Sequence, residues 1–480
     1  MKISLSHHLY VSEMPEQIKH TVRQSLRFRN PKWEENSRLG RWNKNTPEVL
    51  NFYKESGDDL ILPRGYMRQL ILLCRHNGIA YEIEDRRRML PEADFSFAGT
   101  LKPFQEEAAR IMLSKEFGTL SAPTGSGKTV IALYMIAQRR QPALVVVHTK
   151  ELAFQWQERI ENFLRIPKEE CGFIGDGRKT VGEKITVAMI QSLYKCAEDI
   201  SPHIGYIIVD ECHRTPSRTF TEAVSGFDAR YMLGLTATPW RRDKLSRLIF
   251  WHLGDVHHTI EKSGLVEKGH ILEAEIVVRE TAFKPYYDPV REYSKMLSEL
   301  TADDERNRLI ASDVAQEAAS GKGVCLVLSD RKKHCENLQT LLKFKHGIAA
   351  SLLTGDLGTA QRREVLEGIA QGTVGVVVAT GQLIGEGFDC REMSTLFIAT
   401  PIRFSGRLLQ YLGRVLRPAP GKTQAKVYDY VDIHVGPLAA AAAARQLVYH
   451  PQNAQSENAH SVLGHPGHPN DADSEKKIII

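Results

Sequence analysis

Short apolar runs alternate with longer amphipathic segments along most of the chain, beginning at Leu101. The short runs predict strands that are buried on both faces, and the longer segments predict the helices that cover them. This alternation is typical of a parallel sheet with helices on its faces. It becomes irregular between Phe250 and Leu300 and then starts again, so the pattern predicts two α/β domains in tandem.

The same pattern places the individual elements. In the first domain the predicted strands are 144–148, 185–190, 206–209 and 231–235, and the predicted helices are 130–140 and 151–163. In the second domain the predicted strands are 324–328, 348–353, 374–379, 396–399 and 425–430, and the predicted helices are 331–343 and 361–370.

The two ends of the chain differ from the middle. Residues 1–95 predict a small α+β domain, with a linker that begins at Arg86. Beyond Gly436, an alanine-rich stretch predicts a short helix, and the His-, Pro- and Asn-rich remainder predicts a disordered tail. We therefore expect an N-terminal basic domain at 1–95, parallel-sheet domains at 96–255 and 301–435, a connector at 256–300, and a helix with a disordered tail at 436–480.

Composition narrows the classes of protein to consider. A chain of 480 residues is too long for one ordinary core. No run approaches the roughly 18 apolar residues of a membrane span, and the first residues lack a signal-peptide pattern, so we expect a cytoplasmic protein. The seven cysteines are scattered without a CxxC pair, which argues against a zinc ribbon or an iron–sulfur cluster. The net charge of +5 indicates only a mild preference for polyanions.

The stretch Ala122–Thr129, with the sequence APTGSGKT, has the pattern of a phosphate-binding loop between a strand and a helix. Its backbone N–H groups are expected to point at a β-phosphate, Lys128 to reach the β/γ oxygens, and Thr129 to hold Mg²⁺. Ala122 replaces the usual glycine and is small enough for the turn. The predicted ATP-binding residues of this loop are Thr124, Gly125, Ser126, Gly127, Lys128 and Thr129.

A pair of carboxylates, Asp210 and Glu211, follows the apolar run 206–209. The carboxyl end of a parallel strand beside a phosphate loop is where a second Mg²⁺ contact belongs. We therefore expect Asp210 to hold Mg²⁺ through water and Glu211 to orient or deprotonate the attacking water. The second domain has no phosphate loop, which suggests a nucleotide held between the two domains.

A basic segment with interleaved aromatic residues lies between His20 and Asn45. Cations that meet phosphates and rings that stack on bases form nucleic-acid surfaces. The alternative is a solvated basic face over a small core that buries the tryptophans. The cationic residues are Arg23, Arg27, Arg29, Lys32, Arg38, Arg41 and Lys44, and the rings are Phe28, Trp33 and Trp42.

Together these motifs make residues 97–432 resemble a superfamily 2 helicase of the DEAH-like kind. Its characteristic motifs appear in order after the phosphate loop and the DECH sequence at 210–213. The further matching stretches are LKPFQ at 101–105, HTKEL at 148–152, MIQS at 189–192, LTATP at 235–239, GEGFD at 385–389 and QYLGRVLR at 410–417.

The resemblance implies two tandem RecA-like domains that use ATP and Mg²⁺. It implies that Gln105 recognises adenine, that Gly387 and Asp389 lie at the nucleotide, and that Thr149, Gln191 and Ser192 grip the nucleic-acid backbone. Gln410, Arg414 and Arg417 are the implied catalytic residues of the second domain. Arg414 and Arg417 lie three residues apart, so they share a helix face and can approach the γ-phosphate together.

Within superfamily 2 the chain looks most similar to the XPB-like proteins and the UvsW-type phage helicases, which act on duplex or branched DNA. Those proteins also carry a small N-terminal domain. XPB-like proteins continue the LTATP motif with Arg-Glu-Asp, whereas Arg242 stands here where Glu is expected, and no thumb-like insertion is evident. We include Arg242 among the expected nucleic-acid contacts.

The sequence therefore predicts an ATP-dependent DNA helicase or translocase whose partner is duplex, forked or junction DNA. One alternative is the duplex-DNA translocase motor of a restriction or defence complex. An RNA helicase is disfavoured because Gln410 and His213 replace the residues of the DEAD-box type. A nucleic-acid-binding module with a degenerate ATPase is disfavoured by the intact Lys128, Asp210, Glu211 and Arg417.

Overall fold

A computed structural model of the protein describes residues 1–38, 40–214, 218–237, 246–321, 323–381, 392–402, 408, 411–413, 415–419, 422 and 425–449. The chain divides into two compact units. The first extends from residue 1 to Glu261, apart from Thr124–Ser126, which group with the second unit that begins at Lys262. Each unit contains one large sheet that is mostly or wholly parallel, and the prediction of tandem α/β domains is confirmed.

The N-terminal part of the first unit is an α+β layer. Its strands are β1 (Lys2–Leu5), β2 (His8–Ser12), β3 (Arg27–Arg29), β4 (Val49–Asn51), β5 (Lys54–Ser56), β6 (Asp59–Pro63) and β7 (Glu82–Asp85). Its helices are α1 (Glu16–Ser25), α2 (Pro31–Arg38) and α3 (Met67–His76). Five strands form a sheet in the order β5-β6-β2-β1-β7, and β3 pairs with β4 separately. Helix α3 buries Met67, Leu70, Ile71 and Cys74, the one-sided spacing of an amphipathic helix.

The rest of the first unit is a mostly parallel eight-stranded sheet. Its strands are β8 (Phe117–Ser121), β9 (Ala143–Val147), β10 (Gly172–Gly175), β11 (Arg178–Lys179), β12 (Ile185–Met189), β13 (Tyr206–Val209), β14 (Tyr231–Thr236) and β15 (Val256–Thr259). Its helices are α4 (Pro103–Leu113), α5 (Lys128–Arg139), α6 (Lys150–Leu164), α7 (Ile190–Leu193), α8 (Ala197–Ile200), α9 (Arg218–Ser225) and α10 (Ser246–Leu253).

The strand order β11-β10-β12-β9-β13-β14-β8-β15 brings the chemical motifs to one edge of this sheet. Strands β12, β9, β13, β14 and β8 are parallel neighbours, so their carboxyl ends lie side by side. Every residue of β9 and β13 is buried, which accounts for their uninterrupted apolar sequences.

The second unit contains a six-stranded parallel sheet in the order β16-β21-β20-β17-β19-β18. Its strands are β16 (Ala274–Glu280), β17 (Val324–Ser329), β18 (Ser351–Leu353), β19 (Val376–Thr380), β20 (Met393–Ile398) and β21 (Ala425–Val431). Its helices are α11 (Lys262–Glu267), α12 (Tyr293–Ala302), α13 (Asp304–Ala319), α14 (Lys332–His346), α15 (Thr359–Ala370) and α16 (Gly436–Tyr449).

The segment 256–300, predicted as a connector, contributes an edge strand to each large sheet. Strand β15 pairs in parallel with β8, and β16 pairs in parallel with β21 over its whole length. The interpretation missed them because each edge strand mixes polar residues with its apolar ones, as in Val256–Thr259, and an edge strand needs less apolar surface than a central one.

The C-terminal helix α16 is longer than its alanine-rich centre and is anchored to the second sheet. The guanidinium of Arg445 forms hydrogen bonds with both carboxylate oxygens of Asp429 on β21, at 2.7 and 2.8 Å, and both side chains are buried. The hydroxyl of Tyr449 donates to the same carboxylate at 3.0 Å. The predicted disordered tail after Tyr449 lies outside the described residues.

The N-terminal layer packs directly on the first large sheet, so the segment that begins at Arg86 is not a free linker. Trp251 of α10 lies in the N-terminal core beside Phe28 and Phe52. The buried guanidinium of Arg87 pairs with Glu116 just before β8, and Arg88 pairs with Asp228 at 3.0 Å. The two layers therefore form one structural body.

Among the described residues, no helix combines the length and the apolar composition that crossing a membrane would need.

Candidate nucleotide and nucleic-acid sites

The phosphate loop connects β8 to α5 as the sequence predicts. Gly125 and Gly127 have φ angles of +91° and +83°, which favour glycine, and Gly127 caps the start of α5. The ammonium of Lys128 is buried and donates to the carbonyl of Ala122 at 3.0 Å. The first turn of α5 presents backbone N–H groups that have no partner within the helix, as an anion-binding helix start does.

Gln105 lies in the first turn of α4 and reaches the phosphate loop. Its side-chain oxygen accepts from the backbone N–H of Lys102 at 2.9 Å. A Cβ atom at Gly127 would lie 2.4 Å from the Gln105 amide nitrogen, which shows how closely the two segments approach. The side chain is buried at the place where a base-recognising amide is expected.

Asp210 follows β13 and is almost fully buried. Its carboxylate accepts from the indole N–H of Trp156 at 2.8 Å and from the backbone N–H of Glu211 at 2.8 Å. Burial, and next the charge of Glu211, raise the pKa of Asp210 to about 6, while the ammonium of Lys128 opposes the rise. A buried carboxylate whose anionic form is so poorly solvated is well suited to a cation.

Glu211 has a φ of +48°, an uncommon conformation for a residue with a side chain. One carboxylate oxygen lies 3.9 Å from Nζ of Lys128, and the other lies 3.2 Å from Nδ1 of His213. The His213 ring is also 3.0 Å from the hydroxyl of Thr236 at the end of β14. The side chain of Glu211 is thus held beside the phosphate-loop lysine by neighbouring strand ends.

Trp156 was not among the predicted site residues. It lies on the buried face of α6 with Ala153, Ile160 and Leu164, so spacing alone predicts a core residue. A buried indole still needs an acceptor for its N–H, which was the one available signal. The identity of that acceptor depends on α6 packing beside β13 and could not be read from the sequence.

The three residues expected to grip a nucleic-acid backbone lie at the ends of β9 and β12. The hydroxyl of Thr149 caps α6 by accepting from the N–H of Leu152 at 3.3 Å. Gln191 is exposed and donates to the carbonyl of His148 at 3.3 Å, while Ser192 is half-buried on α7. The structure brings these residues to one edge of the sheet, and their binding role stays a prediction.

The predicted basic surface of the N-terminal layer divides into paired and unpaired residues. Arg23 pairs with Glu55 at 2.9 Å, and Arg29 pairs with Glu48 at 3.3 Å. Arg27 and Arg41 are exposed and form no ion pair with any residue that the structure describes.

The aromatic residues of this segment divide in a similar way. Phe28 stacks on Phe52 in the core and is not placed to stack on a base. Trp33 is half-buried on α2, whereas Trp42 is 86 % exposed. The Nζ atom of Lys44 lies 5.8 Å from the centre of the Trp42 ring. We name the exposed residues Arg27, Arg41, Trp42 and Lys44 the basic–aromatic patch.

Among the remaining predicted site residues, Arg417 of the second domain lies in the described part of the chain. Arg417 is half-buried and lies at a bend just beyond the helical residues 411–413 and 415. Its partner on the predicted helix face, Arg414, lies outside the described residues, so the shared face stays a prediction. The predicted residues Arg242, Gly387, Asp389, Gln410 and Arg414 lie outside the described residues.

Two protein families match the chain. Residues 98–241 match the family described as type III restriction enzyme, res subunit, and residues 297–419 match the helicase conserved C-terminal domain. Each match falls on one of the two large sheets and the helices around it.

Three similar proteins come from different kinds of organism or virus. A putative ATP-dependent RNA helicase, L396, of Acanthamoeba polyphaga mimivirus is 28% identical over 72% of this chain and 66% of its own length. The DNA 3'-5' translocase XPB2 of Sulfurisphaera tokodaii is 29% identical over 66% of this chain and 78% of its own. The ATP-dependent DNA helicase uvsW of Enterobacteria phage T4 is 22% identical over 85% of this chain and 83% of its own.

The tandem parallel sheets, with a phosphate loop and the neighbouring carboxylates of Asp210 and Glu211, define a P-loop motor ATPase. The matches to both families make the class more specific. The chain belongs to the superfamily 2 helicases of the XPB/UvsW type, which are ATP-dependent helicases and translocases. The predicted resemblance is confirmed.

Proposed function

We propose that the protein uses ATP hydrolysis to move along or remodel DNA, with duplex or branched DNA as its substrate. The observation that carries the proposal is the cluster of Lys128, at the start of α5, with Asp210 and Glu211, which follow β13. The nucleic-acid candidates Thr149 and Gln191 follow β9 and β12 at the same edge of the sheet. Two named relatives, the archaeal XPB2 translocase and the phage uvsW helicase, support DNA as the substrate.

The residues of the first unit fit ATP and Mg²⁺. The buried ammonium of Lys128 has a neutral carbonyl at 3.0 Å and a carboxylate only at 3.9 Å, so a phosphate oxygen would give it a better anionic partner. Gln105 would bind the adenine, and the hydroxyl of Thr129 with the carboxylate of Asp210 would hold Mg²⁺. The bound ion would neutralise charge that develops on the phosphate oxygens.

Glu211 is the proposed base that orients the attacking water. Its carboxylate lies between a cation, Lys128, and the ring of His213, and these two contacts orient the carboxylate. His213 in turn contacts Thr236 at the end of β14. A shift of β14 would therefore move the ring of His213 and, through it, the carboxylate of Glu211.

The substitution Glu211→Gln tests this role because it keeps the size of the side chain and removes its basicity. We expect ATP binding to persist and the steady-state hydrolysis rate to fall at least about 100-fold, as for loss of a general base. Glu158→Gln is the matched control, since Glu158 is exposed on α6. Hydrolysis at the wild-type rate by the Glu211→Gln protein would remove the assignment.

The substrate is tested by the ATPase rate in the presence of different nucleic acids. The panel contains no nucleic acid, single-stranded DNA, blunt duplex, a fork, a four-way junction and RNA. Strongest stimulation by forks or junctions supports branch remodelling, and stimulation by RNA alone would overturn the DNA proposal.

A second candidate is the translocase motor of a restriction or defence complex. It is favoured by the match of residues 98–241 to the res subunit of type III restriction enzymes. Such a motor follows duplex without separating it. Equal stimulation by blunt duplex and forks, without strand displacement, would support this candidate over branch remodelling.

A further inference from the structure

His148 occupies the middle of three adjoining strand ends in the first unit. It follows β9, and the sheet places β12 on one side of β9 and β13 on the other. Gln191 lies just beyond β12, and Glu211 lies just beyond β13. The topology therefore sets His148 between a candidate nucleic-acid contact and the proposed catalytic base.

Two hydrogen bonds join His148 to these neighbours. The side-chain amide of Gln191 donates to the backbone carbonyl of His148 at 3.3 Å. On the other side, Nε2 of the His148 ring lies 3.2 Å from the backbone carbonyl of Glu211. A carbonyl oxygen only accepts hydrogen bonds, so Nε2 of His148 carries the proton in this contact.

The bond to Glu211 acts on an unusual stretch of backbone. Glu211 has a φ of +48°, and a residue with a side chain holds this conformation only where its surroundings enforce it. The N–H of Glu211 donates to Asp210, and its carbonyl accepts from His148, so both sides of the residue are fixed. The orientation of its carboxylate depends on this backbone.

We propose that His148 is a positioning residue that couples nucleic-acid binding at Gln191 to the placement of the base Glu211. A nucleic-acid backbone that engages Gln191 shifts the carbonyl that Gln191 holds. Because that carbonyl belongs to His148, the shift is carried through the imidazole to the backbone of Glu211. This inference rests on the proposed function, since it requires that nucleic acid stimulates the ATPase.

The test compares two substitutions that differ in one property. His148→Leu keeps much of the side-chain volume and removes the N–H donor, whereas His148→Gln retains an N–H donor. For each protein, the ATPase rate without DNA, the rate at saturating DNA and the DNA dissociation constant are measured. His203→Gln is the control, because His203 is exposed in the same unit away from these strand ends.

We expect His148→Leu to lower the stimulation factor, the ratio of the two rates, by about 10-fold, a loss typical of a misplaced catalytic group. We expect His148→Gln to recover most of that factor and His203→Gln to leave it unchanged. A combined His148→Leu and Gln191→Ala protein should lose no more stimulation than the stronger single variant, since both act through one connection.

Two results would overturn the proposal. One is an equal fall of both rates in His148→Leu, which leaves the ratio unchanged and indicates a purely structural role. The other is equal behaviour of His148→Leu and His148→Gln. Failure of the proposed function looks different, because the wild-type ATPase would then respond to no nucleic acid at all.

Discussion

The indole N–H of Trp156 donates a 2.8 Å hydrogen bond to the carboxylate of Asp210, and both side chains are buried. The donor lies on α6, and the acceptor directly follows β13. The bond therefore links a helix to the residue that is proposed to bind Mg²⁺. Together with the N–H of Glu211, it stabilises the anionic form of a carboxyl whose pKa is raised by burial. Trp156 therefore acts on the proposed site through Asp210.

We expect Trp156→Phe to weaken Mg²⁺ use by the ATPase. Phenylalanine is somewhat smaller than the indole and removes the hydrogen bond, and hydrogen bonds to charged groups contribute about 1.5–3 kcal/mol. The Mg²⁺ concentration for half-maximal ATPase should rise by about 10-fold, more strongly at pH 6 than at pH 8, since the proton competes better for Asp210. Titration of Mg²⁺ at both pH values checks this, with Glu158→Gln as the control. An unchanged Mg²⁺ requirement at both pH values would contradict it.

The motif residues at the sheet edge were predictable, because successive parallel strands end on the same side of their sheet. Lys128, Asp210, Thr149 and Gln191 each follow a strand whose apolar run is plain in the sequence. Trp156 and the ring contact of His148 were not predictable in the same way. Their partners are set by how a helix and a strand end approach in three dimensions, and spacing along the chain does not record that.

The joining of the N-terminal layer to the first large sheet was also missed. Arg87 looked like part of a charged linker, yet its guanidinium is buried against Glu116, whose second oxygen pairs with Arg230 at 2.7 Å. Phe28 looked like a base-stacking ring, yet it packs beside Trp251. Charge and aromaticity indicate both binding surfaces and buried interfaces, and only the partner residue distinguishes the two.

Gly65→Ala should destabilise the packing of the N-terminal layer against the first large sheet. A Cβ atom at Gly65 would lie 2.1 Å from the backbone carbonyl oxygen of Phe250, and backbone cannot move aside easily. We expect a loss of about 1–3 kcal/mol in the free energy of unfolding, as for an overpacked core. All five tryptophans precede Lys262, so tryptophan fluorescence reports unfolding of the first unit.

Gly264→Ala, in the second unit, is the control for replacing a glycine without a steric clash, and it should leave the tryptophan transition unchanged. No atom lies within 4 Å of a Cβ atom there, and its backbone is not in the left-handed region. If the Gly65→Ala protein were as stable as the control, the close approach of Gly65 to Phe250 would not contribute to the free energy of unfolding.

Acid should destabilise the first unit through His252. Burial lowers the pKa of His252 from 6.5 to about 3, so the folded protein keeps the ring neutral while the unfolded chain protonates it. Stability from this residue is therefore complete above pH 6.5 and falls as the pH drops towards 3. At pH 5 the loss is about 2 kcal/mol. His252→Gln, which can keep a contact with Ser225, should flatten the fall in melting temperature between pH 7 and pH 5, whereas the exposed His203→Gln should not.

The structure separates the arginines of the N-terminal layer that have an ion-pair partner from those of the basic–aromatic patch that have none among the described residues. Arg41 is exposed and forms no ion pair with the described residues, whereas Arg29 is paired with Glu48. A cation that already has a carboxylate partner gains less from a phosphate, since it must give up that partner. We therefore expect Arg41→Ala to weaken binding of forked DNA and to lower the slope of log affinity against log salt by about one. Arg29→Ala should have a clearly smaller effect.

Trp42 is the aromatic member of the basic–aromatic patch, and its substitution tests base stacking. Its ring is 86 % exposed, so stacking on an unpaired base would bury apolar area that the protein alone leaves in water. Trp42→Ala should reduce affinity for forked DNA by about 1–3 kcal/mol while leaving the salt slope unchanged, because a ring displaces no counterion. Affinity for blunt duplex, which offers few unstacked bases, should change much less. Equal losses of affinity for forked and blunt duplex DNA would mean that Trp42 contacts the DNA backbone or supports its own loop. That result would contradict the base-stacking role.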